Sequence, residues 1–162
     1  RRAGSQPPDY ISTLVQKQVK QGLEMVKLLR DAEENQFTAD DLAVALTHCE
    51  DEDPILWLQQ NWRNMIDTVV TLATNYGHER KENTVGTISA SEARDALRLH
   101  DGNVWAAVTE CVDQRQRKYA ELLSRGNFSR EDIVTMLTAH HGNVEAAYTE
   151  LNKSQLKPFL MR

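Results

Sequence analysis

The sequence predicts an all-α protein, built from tandem, fused three-helix units that follow one long N-terminal helix. Three observations support this prediction. Apolar residues recur three or four positions apart through most of the chain, which is the period of a helix buried on one face. Strict alternation of apolar and polar residues, which would indicate a strand, persists nowhere. One phrase that ends a helix and begins the next occurs twice, forty residues apart.

The apolar stripes predict three long helices. The first follows Pro7–Pro8, a pair suited to a helix start, and runs to about Asp31. The second is predicted over Pro54–Tyr76, and the third begins at Asn103. The polar segment 77–87, which contains glycine near both ends, is predicted to be an exposed loop.

The repeated phrase is HDGNVWAAVTE at residues 100–110 and HHGNVEAAYTE at residues 140–150. Aligned over residues 89–111 and 129–151, the two copies share ten of twenty-three positions. The glycine can take the left-handed conformation that ends a helix, and the asparagine after it can cap the next helix through its side-chain oxygen. The phrase therefore predicts a helix end, a tight turn and a new helix.

A helix-start signal occurs three times. Each copy has Thr or Ser followed three residues later by an acidic residue, which is the pattern of a capping box, with an apolar residue just before it. The pairs are Thr38/Asp41, Ser89/Glu92 and Ser129/Asp132. The chain is therefore expected to hold three helical triplets, and the first opens its last helix with Asp53–Pro54.

Residues 121–151, ELLSRGNFSREDIVTMLTAHHGNVEAAYTEL, resemble a ubiquitin-associated (UBA) domain. In that family one turn reads Met-Gly-Phe and the next Gly-Asn-Val. Here Gly126-Asn127-Phe128 stands at the first turn, and GNVEAA at 142–147 matches the second. Residues 86–111 and 35–62 follow the same plan with fewer matching positions. The long first helix and fused units are similar to the UBA region of a ligase that builds linear ubiquitin chains.

The resemblance implies a non-catalytic, cytoplasmic interaction module of an E3 ubiquitin ligase. Such a module recruits ubiquitin-like (UBL) domains of accessory subunits, and so assembles and activates a linear ubiquitin chain assembly complex. The implied partners are the UBL domains of the HOIL ligase subunit and of Sharpin. Because Gly126 replaces the flexible apolar Met of the turn, ubiquitin itself is expected to bind weakly or not at all. Two alternatives stay open: a rigid spacer that binds nothing, and an ordinary ubiquitin-binding UBA domain.

Candidate partner-binding residues lie mainly on the last triplet. They are Asn127, Phe128, His140, His141, Glu145, Tyr148 and Asn152, with Trp57 on the first triplet. The last helix is expected to bury Val144, Ala147 and Leu151 and to present Glu145, Tyr148 and Asn152 on its other side. Tyr148 replaces the Val108 of the sister copy, and an aromatic residue with a polar tip suits a binding hot spot.

Each of these candidates also has a purely structural interpretation. Phe128 stands where a hydrophobic staple would bury it, and Tyr148 suits a half-buried packing position. The histidines at 140 and 141 are either hydrogen-bond donors to a partner or solvated turn residues. Trp62 fits the buried stripe of its helix, whereas Trp57 lies off that stripe and is the better surface candidate.

Composition and motifs argue against several function classes. A net charge of −5 disfavours a nucleic-acid partner, and no apolar run reaches membrane-spanning length. The chain has no phosphate-binding loop and no Cys-x-x-Cys, and the acidic run 50–53 is expected to be a solvated turn, so neither cofactor nor metal is expected. An enzyme with an unrecognised helical site is the remaining alternative. Cys49 and Cys111 are expected to be reduced and buried.

The expected organisation has four segments fused into one rigid body. They are a long N-terminal helix (1–34), a degenerate UBA-like unit with a long helix (35–80), a middle UBA-like unit (81–112) and a C-terminal UBA-like unit (113–162). A unit of about forty-five residues removes little surface from water, so it is marginally stable alone. The helix from Asn103 is therefore expected to serve both the middle and the last unit.

Overall fold

The computed structural model describes residues 8–160, and it describes side chains over residues 11–155. Within that range the chain forms seven α-helices and no strand, which confirms the all-α prediction. The helices are α1 (Pro8–Glu34), α2 (Ala39–His48), α3 (Pro54–His78), α4 (Ala90–Leu99), α5 (Val104–Arg125), α6 (Arg130–Ala139) and α7 (Val144–Leu160). None of the helices described is both long and apolar enough to cross a membrane.

The chain divides into two compact units, Arg1–Gln59 and Gln60–Arg162. In the first unit, α1 packs on α2, and a core forms from Ala32, Leu42 and Ile55. Helix α1 continues one turn beyond the predicted end at Asp31, and the chain then leaves the helix where Gln36 has a φ of 68°. The acidic run 50–53 is an exposed turn, as predicted, and its Asp53 caps α3 by accepting the N–H of Ile55 at 2.9 Å.

The second unit is organised around α5, which runs without a break from Val104 to Arg125. Helix α4 packs against α5, and so do α6 and α7. The core below the second half of α5 consists of Tyr119, Leu122, Phe128, Ile133, Leu137, Ala147 and Leu151. We call the second half of α5 with α6 and α7 the last triplet, and α4 with the first half of α5 the centre of the middle triplet. The four-segment division and its rigid fusion stay predictions.

The two copies of the repeated phrase form the same turn. Gly102 and Gly142 have φ values of 82° and 79°, and their N–H groups bond the carbonyls of Leu97 and Leu137 at 2.8 Å. Asn103 accepts the N–H of Ala106 at 3.0 Å, and Asn143 accepts that of Ala146 at the same distance. The predicted sequence of helix end, turn and cap is therefore confirmed. The residue before each glycine is also left-handed, with φ values of 52° and 54°, which the phrase alone did not predict.

The three predicted helix starts differ in how completely they close. Thr38 with Asp41 and Ser89 with Glu92 form reciprocal capping boxes. At the third start, Ser129 accepts the N–H of Asp132 at 3.1 Å, and the described bonds there include no return bond from the carboxylate. Asp41 closes the first box with the same side chain, so length is not the cause; Asp41 is buried, whereas Asp132 is exposed.

The prediction of an exposed loop over 77–87 is wrong at three positions. Helix α3 continues through Gly77, and Gly77, Val85 and Gly86 are buried. The side chain of Asn83 accepts the N–H groups of Val85 and Gly86, both at 3.0 Å, and so folds the segment into a turn. The sequence indicated a solvated loop because all ten residues other than Val85 are polar or glycine, but Val85 is buried and anchors the segment in the fold.

Candidate partner-binding site on the last triplet

Helix α7 has the predicted buried face. Ala147 and Leu151 are fully buried in the core of the last triplet, and Val144 packs against that core from its edge. Glu145 is exposed, whereas Tyr148 and Asn152 are half-buried. The outward side of α7 is therefore a mixed surface, on which Glu145 reaches solvent and Tyr148 and Asn152 do so only in part.

An aromatic pair and one arginine surround the turn between α5 and α6. Phe128 is 8% exposed and meets the ring of Tyr148 edge to face, with centroids 6.1 Å apart. The guanidinium of Arg125 lies over the Tyr148 ring, 5.1 Å from its centroid, as in a cation–π contact. Phe128 thus has the structural role considered for it, and Tyr148 packs against the fold while keeping part of its ring accessible.

Arg125 also orders the charges around Tyr148. It pairs with Glu145 on α7 at 2.8 Å and with Glu121 one turn back on α5 at 3.0 Å. The hydrogen bond to Glu145, with its charge, raises the pKa of Arg125, and the same bond lowers the pKa of Glu145. The role of Arg125 was not predicted from the sequence. Glu121 lies four positions away, but Glu145 lies twenty positions away, and no local pattern connects Arg125 with Glu145. The pairs are exposed, so they fix side-chain geometry more than they stabilise the fold.

The remaining candidates on the last triplet have simple environments. The carbonyl of Asn127 accepts the side-chain N–H of Gln155 at 2.6 Å, which ties the exposed turn to α7. His141 is exposed and His140 is half-buried at the end of α6. In the sister turn, His100 bonds Glu110 at 3.0 Å, and this bond lowers the pKa of Glu110.

Trp57 belongs to the unit Arg1–Gln59, where its ring stacks on His48 with centroids 5.6 Å apart and an interplanar angle of 10°. It is half-buried, whereas Trp62 is 4% exposed and lies in the core, as its place in the stripe predicted. The partner-binding roles proposed for Trp57 and for the residues of the last triplet stay predictions.

A buried ion pair between α4 and α5 has no signal in the local sequence. Arg115 on α5 is completely buried and binds both carboxylate oxygens of Glu92 on α4, each at 2.7 Å. It also donates to the carbonyls of Val85 and Thr87, again at 2.7 Å. Arg115 therefore connects Val85 and Thr87, in the segment before α4, to Glu92 in the first turn of α4. It lies in the polar run QRQRK, which looked like a solvated helix face.

The Glu92 carboxylate in turn supports the turn that carries His141. A Cβ atom at Gly142 would overlap this carboxylate and lie 3.1 Å from the amino group of Lys118. Burial would raise the pKa of Glu92, but the hydrogen bond and charge of Arg115, with the bonds from Ser89, outweigh it, so the pKa is lowered. Glu92 is thus ionised at neutral pH, and its carboxylate lies beside the turn that contains Gly142.

A second feature that the sequence analysis missed is an exposed apolar pair on the middle triplet. Trp105 is 72% exposed and Leu99 is 63% exposed, on the two sides of the turn between α4 and α5. Trp105 occupies the position that Glu145 holds in the other copy of the phrase. Comparison of the two phrases position by position would have revealed this difference.

The described residues hold no group of histidine, cysteine or acidic side chains arranged to bind a metal ion. Cys49 and Cys111 are buried free thiols, as predicted. Burial, together with the charges of Glu92 and Glu110, raises the pKa of Cys111 to about 12, so it stays a protonated thiol rather than a nucleophile.

Comparison with known proteins agrees with the helical repeat. A sequence model of the HOIP UBA domain pair matches residues 17–162. The E3 ubiquitin-protein ligase lubel of Drosophila melanogaster is 55% identical over 140 residues, which cover 86% of this chain and 5% of that protein. The E3 ubiquitin-protein ligase RNF31 is 34% identical in Mus musculus and 33% identical in Homo sapiens. Each RNF31 match extends over 143 residues, 88% of this chain and 13% of RNF31.

The chain thus spans between 5% and 13% of the length of these relatives, and the part it matches is described as a pair of UBA domains. The similarity of the middle and last triplets, the Gly-Asn-Val turns and the shared helix α5 fit that description. The chain belongs to the HOIP UBA domain pair family, a non-catalytic protein-interaction region of E3 ubiquitin ligases.

Proposed function

We propose that this chain recruits UBL domains of accessory subunits to an E3 ubiquitin ligase, and so helps to assemble and activate a linear ubiquitin chain assembly complex. The proposed partners are the UBL domains of the HOIL ligase subunit and of Sharpin. Family membership supports an interaction role, and the environment of the turn 126–128 supports a UBL domain over ubiquitin.

The burial of Phe128 is the single observation on which this choice rests. In UBA domains that bind ubiquitin, a Met-Gly-Phe turn offers its apolar side chains to the partner. Here Gly126 has no side chain, and Phe128 is 8% exposed because it packs into the core of the last triplet. This burial supports a partner other than ubiquitin, one that docks on another surface of the last triplet.

The outward side of α7 is the docking surface that we propose. Tyr148 offers part of its ring and its hydroxyl, and the guanidinium of Arg125, itself paired with Glu145, lies over that ring. An ordered aromatic residue with a polar tip loses little freedom on binding, which suits a hot spot. Asn127, His140, His141 and Asn152 would form the polar rim.

A cytoplasmic setting is part of this proposal. Both cysteines are free and buried, which fits a compartment that keeps thiols reduced. The ligase activity of the assembled complex would reside in other parts of the protein, since the family to which this chain belongs is an interaction region.

An NMR titration of the isotope-labelled chain tests the proposal. Isolated UBL domains are expected to shift the amide resonances around Tyr148, Glu145 and His141, while ubiquitin at the same concentration leaves them in place. Tyr148→Val copies the residue of the sister phrase and is expected to weaken UBL binding at least about tenfold. Trp105→Glu, which copies the last triplet onto the middle one, is the matched control and should leave binding unchanged.

Two results would contradict the proposal. A response to ubiquitin equal to or stronger than the response to the UBL domains would assign an ordinary UBA role. The absence of any response to either protein up to millimolar concentration would leave the spacer as the function.

A further inference from the structure

Two carboxylates of the last triplet converge on one nitrogen atom. The Nη2 atom of Arg125 lies 3.0 Å from Oε1 of Glu121 on α5 and 2.8 Å from Oε1 of Glu145 on α7. We call these three residues the Arg125 cluster. The hydrogen bond to Arg125 lowers the pKa of Glu145, so that carboxylate is ionised at neutral pH. One positive charge therefore stands against two negative charges, and the cluster has an excess of one negative charge.

Each carboxylate in the Arg125 cluster has an oxygen atom to spare. Glu121 and Glu145 both bind Arg125 through Oε1, and among the residues whose side chains are described no hydrogen bond or ion pair reaches Oε2 of either. The two side chains are 47% and 73% exposed, so a second molecule can reach both. Carboxylates held this close repel each other, and a second cation beside them would offset the repulsion.

The repeated fold does not require the Arg125 cluster. Forty residues earlier, the shift that relates the two triplets, the chain has Lys81, Val85 and Trp105. The middle triplet thus forms the same turn and the same helix start as the last triplet without these charges. Exposed ion pairs also add little to stability. The two carboxylates at one arginine are therefore a property of the surface of the last triplet, and not of its folding.

The Arg125 cluster borders the proposed docking surface. The guanidinium of Arg125 lies over the ring of Tyr148, 5.1 Å from its centroid, and Glu145 precedes Tyr148 by three residues on α7. The other described ion pair on α7 joins Lys153 to Glu150 at 3.4 Å, and its charges balance. A partner that contacts Tyr148 therefore meets the excess negative charge of the cluster. Charges of opposite sign across an interface speed association and exclude partners of the wrong sign.

We infer that the partner docked on α7 brings a lysine or arginine side chain to the Oε2 atoms of Glu121 and Glu145. This inference rests on the proposed function, because it names the chemistry of the partner at the same surface. The partner's cation pairs with the excess negative charge, while Tyr148 makes the apolar contact beside it. The Arg125 cluster thus selects a basic surface over an acidic one among domains of similar shape.

Association kinetics of the isolated UBL domains with the 162-residue chain, measured at low and at high salt, test this inference. Glu121→Gln removes one negative charge, whereas Arg125 keeps its bond to Glu145 and its place over Tyr148. This variant is expected to associate about threefold more slowly than the unaltered chain at low salt. The difference should disappear at high salt, because salt screens exposed charges. A loss of aromatic contact would instead persist at high salt.

Asp95→Asn is the matched control. It removes an exposed carboxylate that pairs with Arg98 on the middle triplet, so it changes the net charge by the same amount and should leave the association rate unchanged. Circular dichroism of both variants establishes that the fold is retained. An unchanged or faster association of Glu121→Gln, or a loss equal at both salt concentrations, would overturn this inference alone. If neither UBL domain binds the unaltered chain, the proposed function fails and this inference fails with it.

Discussion

The guanidinium of Arg115 on α5 grips the carboxylate of Glu92 on α4 with two bonds of 2.7 Å, and water has almost no access to either group. The same carboxylate closes the capping box with Ser89 and lies against Gly142 in the turn between α6 and α7. One ion pair thus joins the beginning of α4 to the far end of the last triplet. A buried pair of this kind is costly to break, because the remaining partner keeps its charge without compensation.

Arg115→Met is therefore expected to lower the free energy of unfolding by about 3–5 kcal/mol. The variant leaves Glu92 without its cation and the carbonyls of Val85 and Thr87 without their donor. Urea denaturation followed by circular dichroism measures the loss. Arg117→Met is the control. Arg117 is exposed and makes none of these contacts, so this variant should change stability by less than about 0.5 kcal/mol. A loss below about 1 kcal/mol for Arg115→Met would show that the Arg115–Glu92 pair contributes little to the stability of the fold.

Acid is expected to destabilise the fold through Glu92. Its pKa is lowered in the folded state relative to its ordinary value of 4.5, so the pair stabilises the fold fully above that value. This contribution is lost as the pH falls from about 4.5 through the lower, folded-state pKa. Stability measured from pH 7 to pH 2.5 should fall less steeply below pH 4.5 in Glu92→Gln than in the unaltered chain. Parallel curves would contradict the assignment.

The two turn glycines are expected to differ in their tolerance of a side chain. Gly102 and Gly142 share the left-handed backbone, so alanine at either position costs about 1–2 kcal/mol. At Gly142 the new Cβ would also collide with the Glu92 carboxylate. Gly142→Ala should therefore lower Tm more than Gly102→Ala in differential scanning calorimetry. Equal shifts would mean that the carboxylate moves aside without cost.

Two aromatic residues provide a contrast between core and surface. Phe128→Ala is expected to cost about 3–5 kcal/mol, because it leaves a cavity beneath α7. Trp105→Ala removes a larger side chain but should change stability by less than about 0.5 kcal/mol, since that ring is exposed. Chemical denaturation of both variants provides the comparison. A stable Phe128→Ala variant would reopen the question of a partner contact at the turn 126–128.

Native-state hydrogen exchange tests the rigid fusion of the triplets. The most protected amides of α2, α4 and α6 are expected to open with a common free energy if the chain is a single cooperative body. The shared helix α5 and the bond from the N–H of Thr87 to the hydroxyl of Thr138, at 3.2 Å, favour common opening of α4 and α6. Distinct free energies for the three helices would contradict the fusion.

The features that could be predicted from the sequence are those whose causes lie within a few residues of one another. The glycine and asparagine of each turn, and the Thr38 and Ser89 caps, act on backbone groups no more than five positions away. The buried face of α7 follows equally directly from helical period. Each of these signals carries its own physical reason in the local sequence.

The features that escaped prediction depend on distant partners. Arg115 and Glu92 are 23 positions apart, and the carbonyl of Val85 that Arg115 binds is 30 positions away. Arg115 and segment 77–87 both have polar neighbours in the sequence, so the sequence indicated that both are solvated. For Arg125 and Tyr148, the geometry needed the two helices to be placed before any contact could be foreseen.

The continuity of α5 has a consequence for how this region can be divided. Any cut made within Val104–Arg125 exposes buried residues of α5, because Tyr119 and Leu122 line the core of the last triplet, and Val108 and Cys111 are buried nearer the start of the same helix. Fragments ending there would present bare apolar surface and aggregate. Recombination or proteolysis within α5 is therefore expected to unfold both triplets, so evolution should keep the two triplets together as one segment.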